Sequence, residues 1–324
     1  MPHPDNRESC ARRPHAFWSN GALVVVLALL ATLAACSSRD ANHDAYGGPD
    51  EAVTALVDAS RKDDVAALRR IFGPGAEDIV DSGDPVADRL ARARFVELYD
   101  ARHQLVDDGT DRKLLMVGEE GWPLPVPLER VDGRWRFDGA EGADEVVYRR
   151  IGRNELGAIA VCRGYVEAQA EYAAEDRDGE GAGIYAQKLL SDPGLQNGLY
   201  WETGPGEPPS PVGPFVASAA AEGYRSGGAS AYHGYRYRPL FRQGEHANGG
   251  ARDYFENGVL VHGFALVAWP SDYGVSGVMT FIVNQDGVVF QKDLGENTDA
   301  VVDQMQAFDP DSTWTAVTED EVST

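Results

Sequence analysis

The run Asp176-Arg177-Asp178-Gly179-Glu180-Gly181 carries oxygen-bearing side chains at alternate positions and a glycine at the sixth. Alternation brings three oxygens toward one centre, and glycine permits a sharp turn, as in the first half of an EF-hand-like calcium loop. Asp176, Asp178 and Glu180 are therefore candidate metal ligands, and weak calcium is the one cofactor the chain suggests. The twelfth position is Gln187 rather than a bidentate glutamate. Any affinity should be low, with the ion bracing a turn rather than catalysing. A solvated acidic turn between helices accounts for the same residues without an ion.

Other reactive side chains are scattered. His43, His103, His233, His246 and His262 show no zinc spacing: there is no His-Glu-x-x-His and no cysteine pair. There is no Gly-x-Ser-x-Gly elbow and no phosphate loop. Asp309 and Asp311 could pair as carboxylates, although Asp-Pro-Asp-Ser also reads as a turn. No catalytic residue is assigned. Tyr200, Trp201, Tyr232, Tyr235 and Tyr237 could line a groove for a glycan or peptide; the alternative is a core between helix and sheet. Tyr200, Trp201, Tyr235 and Tyr237 are the ligand-binding candidates. Cys162 sits in an apolar helical pattern without an adjacent base, as a small buried residue would.

Charge and the N-terminus constrain the setting. The formal net charge of −23 repels phosphate backbones, which argues against nucleic-acid binding. Arg7, Arg12 and Arg13 precede a short apolar stretch, residues 21–33, that ends in Leu33-Ala34-Ala35-Cys36. That stretch is too short to cross a bilayer and suits a secretory signal. Its end resembles the bacterial lipobox, which implies cleavage before Cys36, acylation of Cys36 and attachment to a membrane. Ser37, where aspartate would imply retention at the inner membrane, resembles an outer-membrane-directed lipoprotein. With Cys10 removed and Cys36 acylated, Cys162 has no disulfide partner.

The positioning elements follow from hydrophobic periodicity. After a polar tether, Pro49 opens a helix with Asp50 and Glu51 in its first turn. Asp63 or Asp64 caps a second helix, which Gly73-Pro74 ends, and a third runs over 85–105 with Leu90, Phe95, Leu98 and Tyr99 inward. Residues 113–117 read as a strand, and residues 128–137 as a hairpin around Asp132-Gly133. Residues 144–151 read as a short helix or the first part of a longer one; after Gly152, Asn154 caps a strong helix reaching Glu175, with a helical turn at 184–190 and a Pro/Gly loop over 202–214. Strands then alternate: Tyr235, Tyr237 and Phe241 against Arg236, Arg238 and Arg242, then 259–269, 278–284 and 288–292 with a turn at Asp286-Gly287.

Three resemblances emerge. The helices and hairpin of residues 49–140 resemble the cone-shaped domain of nuclear-transport-factor-two-like lipoproteins. The helix end Ala168-Gln169-x-x-Tyr172 and the strand Gly234-Tyr235-x-Tyr237 resemble the globular part of type IV pilin-like proteins, in shape only. Six strings, 82–88, 121–123, 149–156, 198–201, 277–281 and 308–311, are similar to the domain-of-unknown-function 2950 family of bacterial exported proteins. That resemblance implies an envelope protein with no assigned activity and no catalytic residues to carry over.

The expectation is an α+β protein with a signal peptide (1–35), a tether (36–48), a cone-like helix-plus-hairpin domain (49–140) and a long helix packed on an antiparallel sheet (141–324). The leading function is a periplasmic, lipid-anchored, non-enzymatic binding or assembly module whose partners are the membrane and an envelope protein or glycan. The alternatives are an envelope hydrolase with a dispersed active site and a calcium-braced structural module.

Overall fold

Pro49 is the first residue of helix α1 (Pro49–Arg61), and Asp50 and Glu51 complement the helix dipole in its first turn. Asp64 then caps α2 (Val65–Phe72), its carboxylate accepting the Ala67 amide at 2.9 Å. A single turn, α3 (Glu77–Val80), leads to α4 (Pro85–Ala101), capped by Asp84. The computed structural model describes residues 43–177, 179, 181–204, 206–222, 224 and 231–318. Residues 1–42, which include the expected signal, Cys36 and most of the expected tether, lie outside them. From Asp44 onward the chain is one compact unit, and no described helix is long and apolar enough to cross a membrane.

Five antiparallel strands form the first sheet: β1 (His103–Asp107), β2 (Arg112–Val117), β3 (Trp122–Pro123), β4 (Leu128–Val131) and β5 (Arg134–Phe137). The expected hairpin forms with Val131 opposite Arg134. Asp132 and Gly133 both adopt positive φ, as a two-residue turn between right-twisted strands requires. Leu56, Leu68, Phe72, Leu115, Leu128 and Phe137 fill the core between these helices and the sheet. Helix α4 is shorter than its periodicity predicts. It stops at Ala101, Leu105 belongs to β1, and Leu90 is exposed rather than inward.

Residues 144–151 are the first part of a longer helix, and the helix expected to start at Asn154 is its continuation. Helix α5 (Gly139–Ala173) runs 35 residues, about 52 Å at 1.5 Å per residue. Its cap is Asp138, which accepts the Glu141 amide. Asn154 lies mid-helix, buried, with its amide donating to the Ser276 carbonyl at 2.8 Å. Gly152 does not stop the helix because tertiary contacts hold both sides of it. The first turns pack on α3, and the rest packs on the second sheet.

That sheet runs β14-β13-β12-β11-β6, all antiparallel: β6 (Tyr235–Leu240), β11 (Ala265–Pro270), β12 (Met279–Asn284), β13 (Phe290–Asp293) and β14 (Thr315–Ala316). Two short hairpins, β7 (Arg242–Gln243) with β8 (Arg252–Asp253) and β9 (Phe255–Glu256) with β10 (Val259–Leu260), lie beside it. The long strand expected over 259–269 is broken at Gly263. Its φ is +143°, and a Cβ there would come 2.4 Å from the Gln285 Oε1. Helix α6 (Gly213–Glu222) follows the Pro/Gly loop, and α7 (Thr298–Gln304) covers the sheet. Arg238 reaches the Val302 and Met305 carbonyls, and Arg236 pairs with Asp299. Residues 184–190 form no helical turn. They make backbone bridges, Tyr185 to Leu260 and Leu190 to Tyr200. Buried Gln169 enforces this by bonding both the Ala186 N–H and C=O at 2.9 Å. The fold class is α+β.

Candidate functional site

Among the described residues, those singled out by type and spacing do not come together. Asp176 accepts the Gly179 amide at 2.8 Å, a local turn, while Asp178 and Glu180 lie outside the described residues. Gln187 donates its side-chain amide to the Gly258 carbonyl at 3.0 Å. Arg177, between the first two acidic positions, stacks its guanidinium over Trp201 at 5.1 Å. Another carboxylate group, Glu129, Asp138 and Glu141, falls within 4.8 Å, but Arg112 bonds Glu141 and lies 3.7 Å from Glu129, while Asp138 caps α5.

The aromatic candidates are divided among three places. Tyr235 is fully buried against Phe281, and its hydroxyl donates to the Met279 carbonyl at 2.9 Å. Burial pushes its phenol far above the ordinary range. Tyr237 lines a small apolar pocket of about 280 Å³ with Gly164, Phe215 and Tyr232. Tyr200 bridges Leu190, and Trp201 packs on the second core beneath Arg177. Cys162 is wholly buried, and burial pushes its thiol up to about 12, which leaves it un-ionised and unreactive. His103 stacks on Tyr99, His246 bonds Asp309 at 3.0 Å and His262 Nε2 lies 2.9 Å from a Glu256 carboxylate oxygen, all near the surface. Asp311 caps its own turn at Thr313 rather than pairing with Asp309.

A larger cleft, about 670 Å³, opens in the first lobe beside α5. That volume is in the range that accommodates small organic ligands. Helices α1 and α2 supply Leu56, Leu68 and Phe72, α4 supplies Phe95 and Leu98, and the proline-rich segment around β3 supplies Trp122, Leu124 and Val126. The opposite wall is a single face of α5: Val146, Arg150 and Arg153, four and three residues apart, with Arg149 and Asn154 alongside. Arg92 and Arg94 complete a set of five arginines, against one lining carboxylate, Asp88.

Arg150 is 8% exposed. Its Nη2 donates to the Ile79 carbonyl at 3.0 Å, while Nη1 is shut from water without a partner. Lost hydration lowers its pKa, the nearby Asp88 carboxylate opposes this, and Arg153 adds to it. Arg153 shows the same direction, from lost hydration and then Arg149.

One end of the cleft is closed by a polar knot. Ser82 donates its amide and hydroxyl to Asp88 at 3.0 and 2.7 Å. Buried Asp84 caps α4 through Oδ1, accepting the Val86 and Ala87 amides. Through Oδ2 it accepts the Tyr224 hydroxyl at 2.7 Å and the Gly234 amide at 3.2 Å, which ties the first lobe to the second sheet. Glu155 does the same from α5, accepting the Val278 and Met279 amides at 3.0 Å.

Three of the strings behind the family resemblance, 82–88, 121–123 and 149–156, thus meet at the cleft. A model of the family described as "Protein of unknown function (DUF2950)" matches residues 43–317. The chain belongs to that family. Neither a curated protein nor a solved structure matches it. In this DUF2950 chain the arginine wall was not among the sequence candidates. Its signal is the spacing Arg149-Arg150-x-x-Arg153 in a chain of net charge −23. That spacing places the three on one side only if the helix continues through Gly152.

Proposed function

We propose that the protein is an exported lipoprotein, acylated on Cys36 and held at the periplasmic face of the outer membrane, that serves as a non-enzymatic binding module. The observation that supports this reading is the 670 Å³ cleft, whose floor is apolar and whose wall is set on a rigid helix. The residues around it bind and orient rather than react. The Ser82 hydroxyl donates to Asp88, and Ser82 is 2% exposed, which withholds its oxygen from a substrate. The first lobe, helices over a curved antiparallel sheet enclosing a pocket, accords with a nuclear-transport-factor-two-like cone. The second, a long helix on an antiparallel sheet, accords with a pilin-like shape.

Two measurements test this. Metabolic labelling with palmitate should mark the protein, and Cys36→Ala should abolish the label; an unlabelled wild type would sink the anchoring. Protein purified from its own envelope, extracted with organic solvent and weighed by mass spectrometry should release a small molecule that is absent from the cleft-filling variant Val146→Trp. A molecule retained by that variant would refute the site. Turnover of ester or cell-wall substrates, lost in Asp88→Asn or His233→Ala, would establish the hydrolase alternative instead.

A further inference from the structure

The geometry points to an amphiphilic anion as the cleft's ligand: a carboxylate or phosphate-monoester head on an unbranched apolar tail. Arg150, supported by Arg153, holds the head. This rests on the cleft being a binding site, and it names the ligand class. Arg150 is more than nine-tenths buried and leaves Nη1 without an acceptor. A buried cationic donor without a partner is costly, and an anionic oxygen at that nitrogen removes the deficit. Arg153 makes no ion pair among the described residues. The other three arginines are already paired: Arg149 with Glu145, Arg92 with Asp63 and Arg94 with Glu97. Asp88, the one lining carboxylate, accepts from Ser82 through both oxygens and makes no hydrogen bond to that nitrogen.

Charge and shape narrow the class. With Arg92, Arg94 and Arg149 offset by their own carboxylates, Arg150 and Arg153 face one lining carboxylate, Asp88, so the lining keeps a positive excess in a chain of net charge −23. A bare inorganic anion leaves the apolar floor of Leu56, Phe72, Leu98 and Val126 unfilled. Leu90 and Trp122 line the cleft yet stand 42% and 56% exposed, apolar surface in water that a tail would cover.

Calorimetry on the chain from Ser37 onward, which holds the whole compact unit and lacks the acyl anchor, tests the assignment. Dodecanoate and dodecyl phosphate should each bind one to one, at least about tenfold tighter than dodecanol. Inorganic phosphate alone should give no measurable heat. Arg153→Gln, an exposed substitution, should weaken both anions about fivefold and leave dodecanol unchanged, and Arg150→Met should erase the preference for anions. Equal binding of dodecanol and dodecanoate, both lost in Val146→Trp, would overturn the anionic head while the binding reading stands. Phosphate binding as tightly as dodecyl phosphate would overturn the tail. A folded protein that takes up none of these amphiphiles refutes the ligand class, and the extraction experiment then decides separately whether the cleft binds anything.

Discussion

Replacing Asp84 tests how the two lobes are joined. Its two carboxylate oxygens have separate tasks: Oδ1 caps α4, and Oδ2 accepts the Tyr224 hydroxyl and the buried Gly234 amide. Asp84→Ala removes the cap, about 0.5–2 kcal/mol. It also strands the Gly234 N–H, about 1–3 kcal/mol. The sum is a loss of about 1.5–5 kcal/mol, which for a unit of this size lowers Tm by at least about 3 °C. Asp84→Asn discriminates more sharply. At an ordinary N-cap asparagine equals aspartate. Here one oxygen becomes an NH2 group that can only donate, and whichever way the amide turns, either the cap or the Gly234 N–H loses its acceptor. Asn should therefore cost about 0.5–3 kcal/mol, the loss of one acceptor where Ala loses both. Urea unfolding gives the free energies, and hydrogen exchange at Gly234 reports the bond directly. Wild-type stability in Asp84→Asn, within about 0.5 kcal/mol, together with a protected Gly234 amide, would refute the assignment of the second oxygen.

Gly142→Ala should destabilise by about 1–3 kcal/mol through overpacking, although alanine is the better helix former by about 1 kcal/mol. A Cβ there would meet the Val126 Cα at 2.7 Å and the Pro125 carbonyl oxygen at 3.0 Å, and urea unfolding gives the sign. In the chain from Ser37 onward, Cys162 should stay unlabelled by a disulfide reagent at about pH 8 and titrate fully in guanidinium chloride, because burial holds its thiol at about 12. Tyr46 and Tyr254 are held at about 12 by burial, against an ordinary 10.0. As pH rises from about 10 to 12 the unfolded chain releases phenolic protons that the folded chain retains, so stability should fall across that window. Urea unfolding at about pH 9.5 and about pH 11.5 should show the loss, and the double variant Tyr46→Phe with Tyr254→Phe should reduce it; an unchanged pH dependence in that variant would contradict this.

Local chemistry was readable wherever neighbours in sequence decide the backbone. Pro49, Asp64 and the Asp132-Gly133 turn act through bonds spanning a few residues, so the early helices and the hairpin follow from the sequence. The alternation of tyrosine and arginine marks β6 because a strand's two faces differ in what they meet: Tyr235 meets Phe281, while Arg236 and Arg238 clamp α7. The expected N-terminal signal and the acylation of Cys36 rest on the sequence alone.

Only the tertiary structure decided what distant segments do to one another. Asn154 looks like a cap by propensity, but its amide is claimed by Ser276, 122 residues away, and the helix runs through. Residues 184–190 have helical texture, but Gln169 and Leu260 compete for their backbone and win. Gly263 breaks a strand because Gln285 and Tyr254 occupy the space where a side chain would stand. The cleft depends on the same continuity: Arg149, Arg150 and Arg153 become one wall only once α5 is a single rod, and Arg150 loses its water only once α3 packs over it. Hydrogen bonds and burial between residues far apart in the chain carry no local periodic signature, so no sequence window contains them.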